Sequence, residues 1–380
     1  MVKIAKNSTM LMKIVCAILF LIFTFCFLYC YQADILTVGQ HVLSEGQTHY
    51  DRTIGAVLIT IVLYLLQLGV YSFTKFERRT HALTYFPSLL ILATITDINT
   101  DIDRGLSLGV WLWVFPLLLV LYAVWIWLSR RFQPYEPDTN SSGLFSRMMW
   151  INVLAMAFMF FLVGLVSNHN DVFHYRMHAE NAMLHDDFKE ASSVGQKSQA
   201  TDSSLTMIRA YALGRQGLLG SRFFKYSLIG TSKVLLPDGV TTKLLLYPED
   251  KFYKSLGVVL MPKKAAMGYL EFVNKHHLGT RMAADYLLTG YLLDRRLDDF
   301  AHAITQYYDV SKELPVHYSE ALVLYNHMRS NPYVEYHNTV VEADYKDFVR
   351  LSRSEKQPAA RLATLKRTFG NTYWYYYLNK

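Results

Sequence analysis

Residues His185–Ala191 read HDDFKEA and residues Leu297–Ala303 read LDDFAHA. The two stretches share D-D-F-x-x-A. Paired carboxylates are one way to build a catalytic site, and they are also a common way to start a helix. The flanking residues favour the second reading. Before the first pair, Tyr175, Ala179, Ala182 and Met183 recur at three- and four-residue steps, and Phe188, Ala191 and Val194 continue the stripe beyond it. Around the second pair, Ala283, Tyr286, Leu287 and Gly290 are followed by Phe300, Ala303, Ile304 and Tyr307. Apolar residues at that period mark one face of a helix. Aspartate at a helix start accepts hydrogen bonds from free backbone N–H groups and complements the dipole. Each copy therefore reads as two amphipathic helices joined by a tight turn.

These residues resemble the tetratricopeptide repeat, a helical hairpin of about 34 residues. The resemblance gives Ala179, Phe188 and Ala191 the packing positions of one unit. It gives Gly290, Phe300, Ala303 and Pro315 those of another, with one extra residue in the turn. No proline closes the first unit. Ser204–Gln216 supplies a first helix without a clear second. The stretch near 223–262 does not repeat, and its Pro237–Gly239 and Tyr247–Asp250 segments read as turns. It is expected to be an irregular insertion, with helices resuming at Lys263–His276.

The helical region is only half of the chain. Of the 380 residues, 52% are hydrophobic, and the long apolar runs crowd residues 1–167. Spans are expected near 11–31, 54–73, 82–96, 106–128 and 148–166. A membrane helix needs about 20 apolar residues; the third run is shorter and holds Pro87. The first run is too long for a signal peptide and lacks a small-residue cleavage site, so it reads as an uncleaved anchor. Trp111 and Trp113 at one end of the fourth run, with Trp125 and Trp127 at the other, suit the two membrane interfaces.

Charge sets the expected orientation. With five spans, one side carries Lys3, Lys6, Lys13, Lys75, Arg78, Arg79, Arg130, Arg131 and Arg147, and the other only Arg52 and Arg104. The positive-inside rule then places the N-terminus in the cytoplasm and residues 168–380 outside it. Four spans would weaken the bias. The three cysteines, Cys16, Cys26 and Cys30, all lie in the first run. The exported part has none, as is common in a periplasmic domain.

A wider resemblance covers most of the C-terminal half and the plan of the membrane half. DSSLTMIRAYALGRQGLLGSRFFKY (202–226), LLPDG (235–239), RMAADYLLTGYLLDRRLDDF (281–300) and LPVHYSEALVLYN (314–326) are similar to an uncharacterised family of multi-pass membrane proteins from Bacteroidota. This implies a bacterial inner membrane and a tetratricopeptide-like periplasmic domain. It supplies no active site.

Other motifs carry less chemistry. Asp97–Asp103, DINTDID, begins like a calcium loop, but Ile102 stands where glycine is needed and Leu108 where the closing glutamate belongs. Asp97, Asp101 and Asp103 remain an alternative site, since acidic outer loops occur in membrane glycosyltransferases. His174 and His178 have ligand spacing on one helical face, with His169 and His185 nearby, but H-x-x-x-H alone is weak. There is no Walker A motif, Rossmann glycine pattern or nucleophile elbow. No catalytic, cofactor-binding or metal-ligating set is expected. Residues 168–380 hold 27 lysines and arginines against 22 acidic residues. That mild excess, outside the cytoplasm, argues against nucleic acid. The aromatic tail NTYWYYYLNK is expected to pack against the last repeat.

The expected fold is all-α: a five-helix transmembrane bundle followed by a tetratricopeptide-like helical-hairpin domain. The expected role is to bind a protein partner in envelope assembly or scaffolding, with the lipid bilayer as its other partner. The alternative is a membrane enzyme handling lipid-linked glycan through loop 97–103.

Overall fold

The computed structural model describes residues 2–76, 78–104, 109–132, 146–258, 265–354 and 358–379. Every regular element among them is helical. The chain divides into two compact units, Met1–Asn170 and Asp171–Lys380. The sequence places the boundary after 167. Residues 168–170 stay with the first unit because Asn168 is tied into it. Its amide donates to the Thr96 carbonyl at 3.1 Å, and its side chain donates to the Ile98 carbonyl at 2.5 Å. Its own carbonyl accepts from Gln32 Nε2 at 3.1 Å.

In the first unit, α1 (Val2–Cys26) runs on through a π turn at Phe27–Tyr31, followed by α2 (Ala33–Leu43) and α3 (Arg52–Thr74). Then come α4 (Phe86–Thr96), α5 (Trp111–Phe132) and α6 (Arg147–Val166). Four helices among the described residues are long and apolar enough to cross a membrane: Met10–Tyr31, Arg52–Thr74, Trp111–Arg131 and Arg147–Val166. Leu106, Ser107 and Leu108 of the fourth expected span lie outside the described residues.

The third expected span differs in kind. It is a composite of an eight-residue 3-10 helix, Arg78–Tyr85, and the eleven-residue α4. Pro87 falls in the first turn of α4, where a missing N–H breaks no helical bond. A 3-10 helix rises about 2.0 Å per residue and an α-helix about 1.5 Å, so the composite reaches roughly 32 Å. It lies along α6. The Ala82 N–H donates to Asn152 Oδ1 near the start of α6 at 2.8 Å, and Asn168 just beyond the end of α6 holds Thr96 and Ile98.

Polarity in this unit is inverted. Large apolar side chains point outward, with Trp113 77%, Leu154 71% and Phe161 64% exposed, while Gln67, Thr84, Ser88 and Asn152 are buried. Inside, Gln67 Nε2 donates to Thr84 Oγ1 at 2.9 Å and Ser88 Oγ to the Leu63 carbonyl at 2.7 Å. Such an arrangement suits a hydrocarbon solvent, which asks nothing of the outer face and leaves polar groups to pair within.

The second unit starts with α7 (Asp171–Leu184), α8 (Phe188–Ser193), α9 (Ser203–Arg215) and α10 (Leu219–Arg222). After α11 (Glu249–Leu256) come α12 (Ala266–Lys275), α13 (Arg281–Leu293), α14 (Leu297–Tyr307) and α15 (Val316–Met328). The chain closes with α16 (Thr339–Ser354), α17 (Pro358–Phe369) and α18 (Tyr373–Asn379). Lys263 and Lys264, expected to open the helix that begins at Ala266, lie outside the described residues.

Four of these helices end alike. Asp187 N bonds Ala182 O, Leu218 N bonds Leu213 O, Leu278 N bonds Val273 O, and Arg296 N bonds Tyr291 O, each at 2.9 Å. The residue before each donor is left-handed: Asp186, Gly217, His277 and Arg295, with φ between 55° and 67°. This is the Schellman closure, which uses up orphan carbonyls at a helix end.

The expected insertion is irregular, and it is also core. Phe223, Leu235, Phe252 and Leu256 are fully buried. Ser232 donates to Asp294 from both N and Oγ, at 2.9 and 2.6 Å, and Lys243 N donates to Ser204 Oγ at 3.0 Å. Residues 259–262 of the insertion lie outside the described residues.

Candidate functional site

The repeated heptad occupies two different structural positions. Matching the Schellman turns pairs Asp186 with Arg295, Asp187 with Arg296 and Phe188 with Leu297. Ala191 then corresponds to Phe300, three residues out of step with the sequence match. In the first copy Asp186 is the turn and Asp187 the N-cap, its carboxylate accepting from Glu190 N at 2.8 Å. In the second copy both aspartates lie in the first turn of α14. There Asp298 meets Arg329 Nη2 at 2.6 Å and Asp299 meets Arg296 Nε at 2.7 Å. Neither pair is arranged to share a proton or a substrate. Removing the cap in Asp187→Ala is expected to speed amide exchange in the first turn of α8 by roughly fivefold, with no change in α14.

The seven packing residues fall in or against the core. Ala179, Ala191 and Phe300 are fully buried, and Ala303 is buried. A Cβ on Gly290 would approach Met267 Sδ to 2.4 Å, so a bare backbone lets α12 close on α13. Pro315 is the N-cap residue of α15. Phe188 is half-buried, with the Arg215 guanidinium 4.2 Å above its ring.

The acidic loop comes apart in space. Asp97 lines a cavity and accepts from Trp111 Nε1 at 2.7 Å. Asp101 and Asp103 are exposed and do not line it. The histidines bond locally. His178 Nε2 lies 3.0 Å from Glu190 Oε1, His185 Nδ1 lies 2.9 Å from the Asn181 carbonyl, and His169 Nδ1 lies 3.0 Å from the Ser167 carbonyl. Among the described residues no three His, Cys, Asp or Glu side chains gather as a metal-binding group.

The second unit holds buried charges that its sequence does not announce. Glu180 is fully buried, and its Oε2 accepts from Leu245 N and Leu246 N at 2.7 Å and Tyr247 N at 3.3 Å. Burial pushes this carboxyl above its ordinary value, while the backbone bonds and Arg176 pull it down. Arg209, 1% exposed, donates to the carbonyls of Val194 and Gly195 at 3.3 and 3.0 Å. His317 Nδ1 lies 2.9 Å from Glu320 Oε2, which also accepts from Tyr373 N at 2.7 Å and so holds the aromatic tail. Tyr373 and Trp374 are buried there.

An open groove of about 720 Å³ lies between the end of α9, α11 and the start of α13. Arg215, Lys251, Lys254 and Arg281 line it, with Asp186 and Asp285. The carboxyl of Asp285 is already engaged, accepting from Tyr308 Oη at 2.6 Å and Tyr318 Oη at 3.2 Å. Burial raises it above its ordinary value, against the pull of those two hydroxyls. Lys254 pairs with Asp250 at 2.9 Å on the surface. Arg215, Lys251 and Arg281 form no ion pair among the described residues. Both guanidiniums are braced. Arg215 donates to Tyr211 Oη at 3.1 Å, and Arg281 lies 4.4 Å over the Tyr308 ring. Sequence reasoning misses this groove, because its cations come from three separate stretches of chain.

Among the described residues the regular structure is thus all helical, with four helices long and apolar enough to span a membrane and a second, helical unit. Residues 273–380 match the model of a family described as a family of unknown function (DUF6057). That match includes 281–300 and 314–326 but not 202–226 or 235–239. No curated protein matches the chain. No solved structure matches it either.

Proposed function

We propose that the chain is a bacterial inner-membrane protein whose tetratricopeptide-like C-terminal unit binds an envelope partner through an acidic segment. The observation that carries this reading is the groove. Three cations that form no ion pair among the described residues line it, two of them guanidiniums held by aromatic rings. Preorganised guanidiniums suit carboxylates, which they meet with paired N–H donors. Stacked helical hairpins offer such concave surfaces to other chains.

Five crossings are the topology we favour. The composite third segment runs beside α6 from its second turn to past its end, and its reach of roughly 32 Å matches a hydrocarbon core of about 30 Å. An odd number of crossings with basic residues inside puts the N-terminus in the cytoplasm and the C-terminal unit in the periplasm. The similarity to Bacteroidota membrane proteins agrees with that placement.

The test is in-membrane crosslinking and affinity capture with three baits: the full chain, a chain truncated after Ser167, and the full chain carrying Arg215→Glu and Arg281→Glu. An envelope protein recovered only with the first bait, more weakly as salt rises, supports the reading. Equal recovery by all three defeats it. The second reading, an enzyme handling lipid-linked glycan through loop 97–103, draws on Asp97 alone of the three carboxylates. Normal function in Asp97→Asn would remove it.

A further inference from the structure

We propose that the cavity in the first unit takes a membrane amphiphile with an uncharged, hydroxyl-rich head group. This inference does not depend on the groove of the second unit. The cavity measures about 1110 Å³, just above the volumes typical of small-molecule sites. Its walls come from α2, α3, α4 and α6, with Leu36, Ile59, Ile95 and Val166 supplying apolar surface. An acyl chain is the commonest apolar molecule available to a helical unit with a lipid-facing exterior, and it gains about 0.8 kcal/mol per buried CH₂.

Part of the lining is polar in a particular way. Asp97, Trp111 and Tyr50 form it. Asp97 Oδ2 accepts from the Trp111 indole, which fixes the ring, and Oδ1 accepts from nothing among the described residues. The Tyr50 hydroxyl is buried against Gly55 without a hydrogen-bond partner among those residues. Asn168, bonded to Thr96 and Ile98, braces the loop that carries Asp97. The carboxylate accepts hydroxyl donors at the ring's edge, and the indole fixed beside it offers a flat apolar face. Sugar rings present those two features together. None of the described lining residues is lysine or arginine. A phosphate there would face the Asp97 carboxylate with no lysine or arginine among the described lining residues, which is unfavourable.

The experiment uses the full chain in nanodiscs of phosphatidylethanolamine doped equally with monoglucosyl diacylglycerol and phosphatidylglycerol. Lipid retained after mild extraction is counted by native mass spectrometry. The wild-type chain is expected to retain the glycolipid over phosphatidylglycerol by about tenfold, the scale of one to two well-made hydrogen bonds. Asp97→Ala is expected to bring the two lipids near parity, and Ile95→Trp, which fills the apolar part, to lower retention of both. Equal retention of the two lipids by the wild type, or preference for phosphatidylglycerol, overturns the proposal without recourse to any variant. Wild-type selectivity in Asp97→Ala, or wild-type retention of both lipids in Ile95→Trp, overturns it as well.

Discussion

Phe300→Ala is expected to destabilise the second unit by about 3–5 kcal/mol, the usual range for deleting a fully buried aromatic ring. Phe300 is completely buried on α14, with the Tyr318 ring of α15 at 5.6 Å. Truncation removes transfer free energy and leaves a hole between three helices that have little room to collapse. At roughly 2–4 °C per kcal/mol for a unit of about 200 residues, melting should fall by about 10 °C. Near-UV circular dichroism of the full chain would follow it. The sharper comparison is Phe188→Ala. The sequence match equates the two phenylalanines, but Phe188 is half-buried and holds the place of Leu297. Its loss should shift melting by less than half as much. Equal shifts would mean that the sequence register, not the turn register, describes the packing.

Glu180→Ala is expected to be comparably severe, at about 3–5 kcal/mol. The substitution leaves three backbone N–H groups, of Leu245, Leu246 and Tyr247, without their acceptor inside the protein. It also strips a carboxyl from beside Arg176, whose remaining bonds are to Asp202 at 3.4 Å and the Lys243 carbonyl at 3.3 Å. Burying unpaired groups of this kind costs more than the net worth of the bonds when made. Glu180→Gln keeps an acceptor oxygen for the same three amides and should retain most of the stability. The effect should also reach the groove. Tyr247 Oη lies 3.0 Å from Tyr211 Oη, which in turn accepts from Arg215. Glu180→Ala should therefore weaken partner capture even below its melting point. Alanine and glutamine variants of equal, near wild-type stability would show that the carboxyl is not an anchor.

Much of the architecture is local information and is written in the chain. Apolar runs about 20 residues long can satisfy their backbone only as helices in lipid, so four long helices follow from composition. The 3.6-residue stripes at 175–183 and 283–290 specify amphipathic helices for the same local reason. Asp187 as an N-cap and the turns around Pro237 and Tyr247 were legible for the same reason. Asp238, in the first of these turns, accepts from the N–H groups of Val240, Thr241 and Thr242.

What the sequence could not hold is every relation between distant residues. The D-D-F-x-x-A match suggests a shared register, but the register is set by where each helix ends, and four Schellman turns end them with only one glycine among their left-handed residues. Tertiary packing stabilises Asp186, His277 and Arg295 in a conformation their own propensity does not select. Glu180 looks like any solvated glutamate until the chain 65 residues further on folds back onto it. The insertion reads as loop because its partners are helices on either side of it, and the cationic groove exists only where α9, α11 and α13 converge. Sequence by itself determined the elements and their affinity for lipid or water, since those depend on neighbours along the chain. Tertiary structure alone decided which charges are buried, which are free and what they enclose, since burial and pairing depend on neighbours in space.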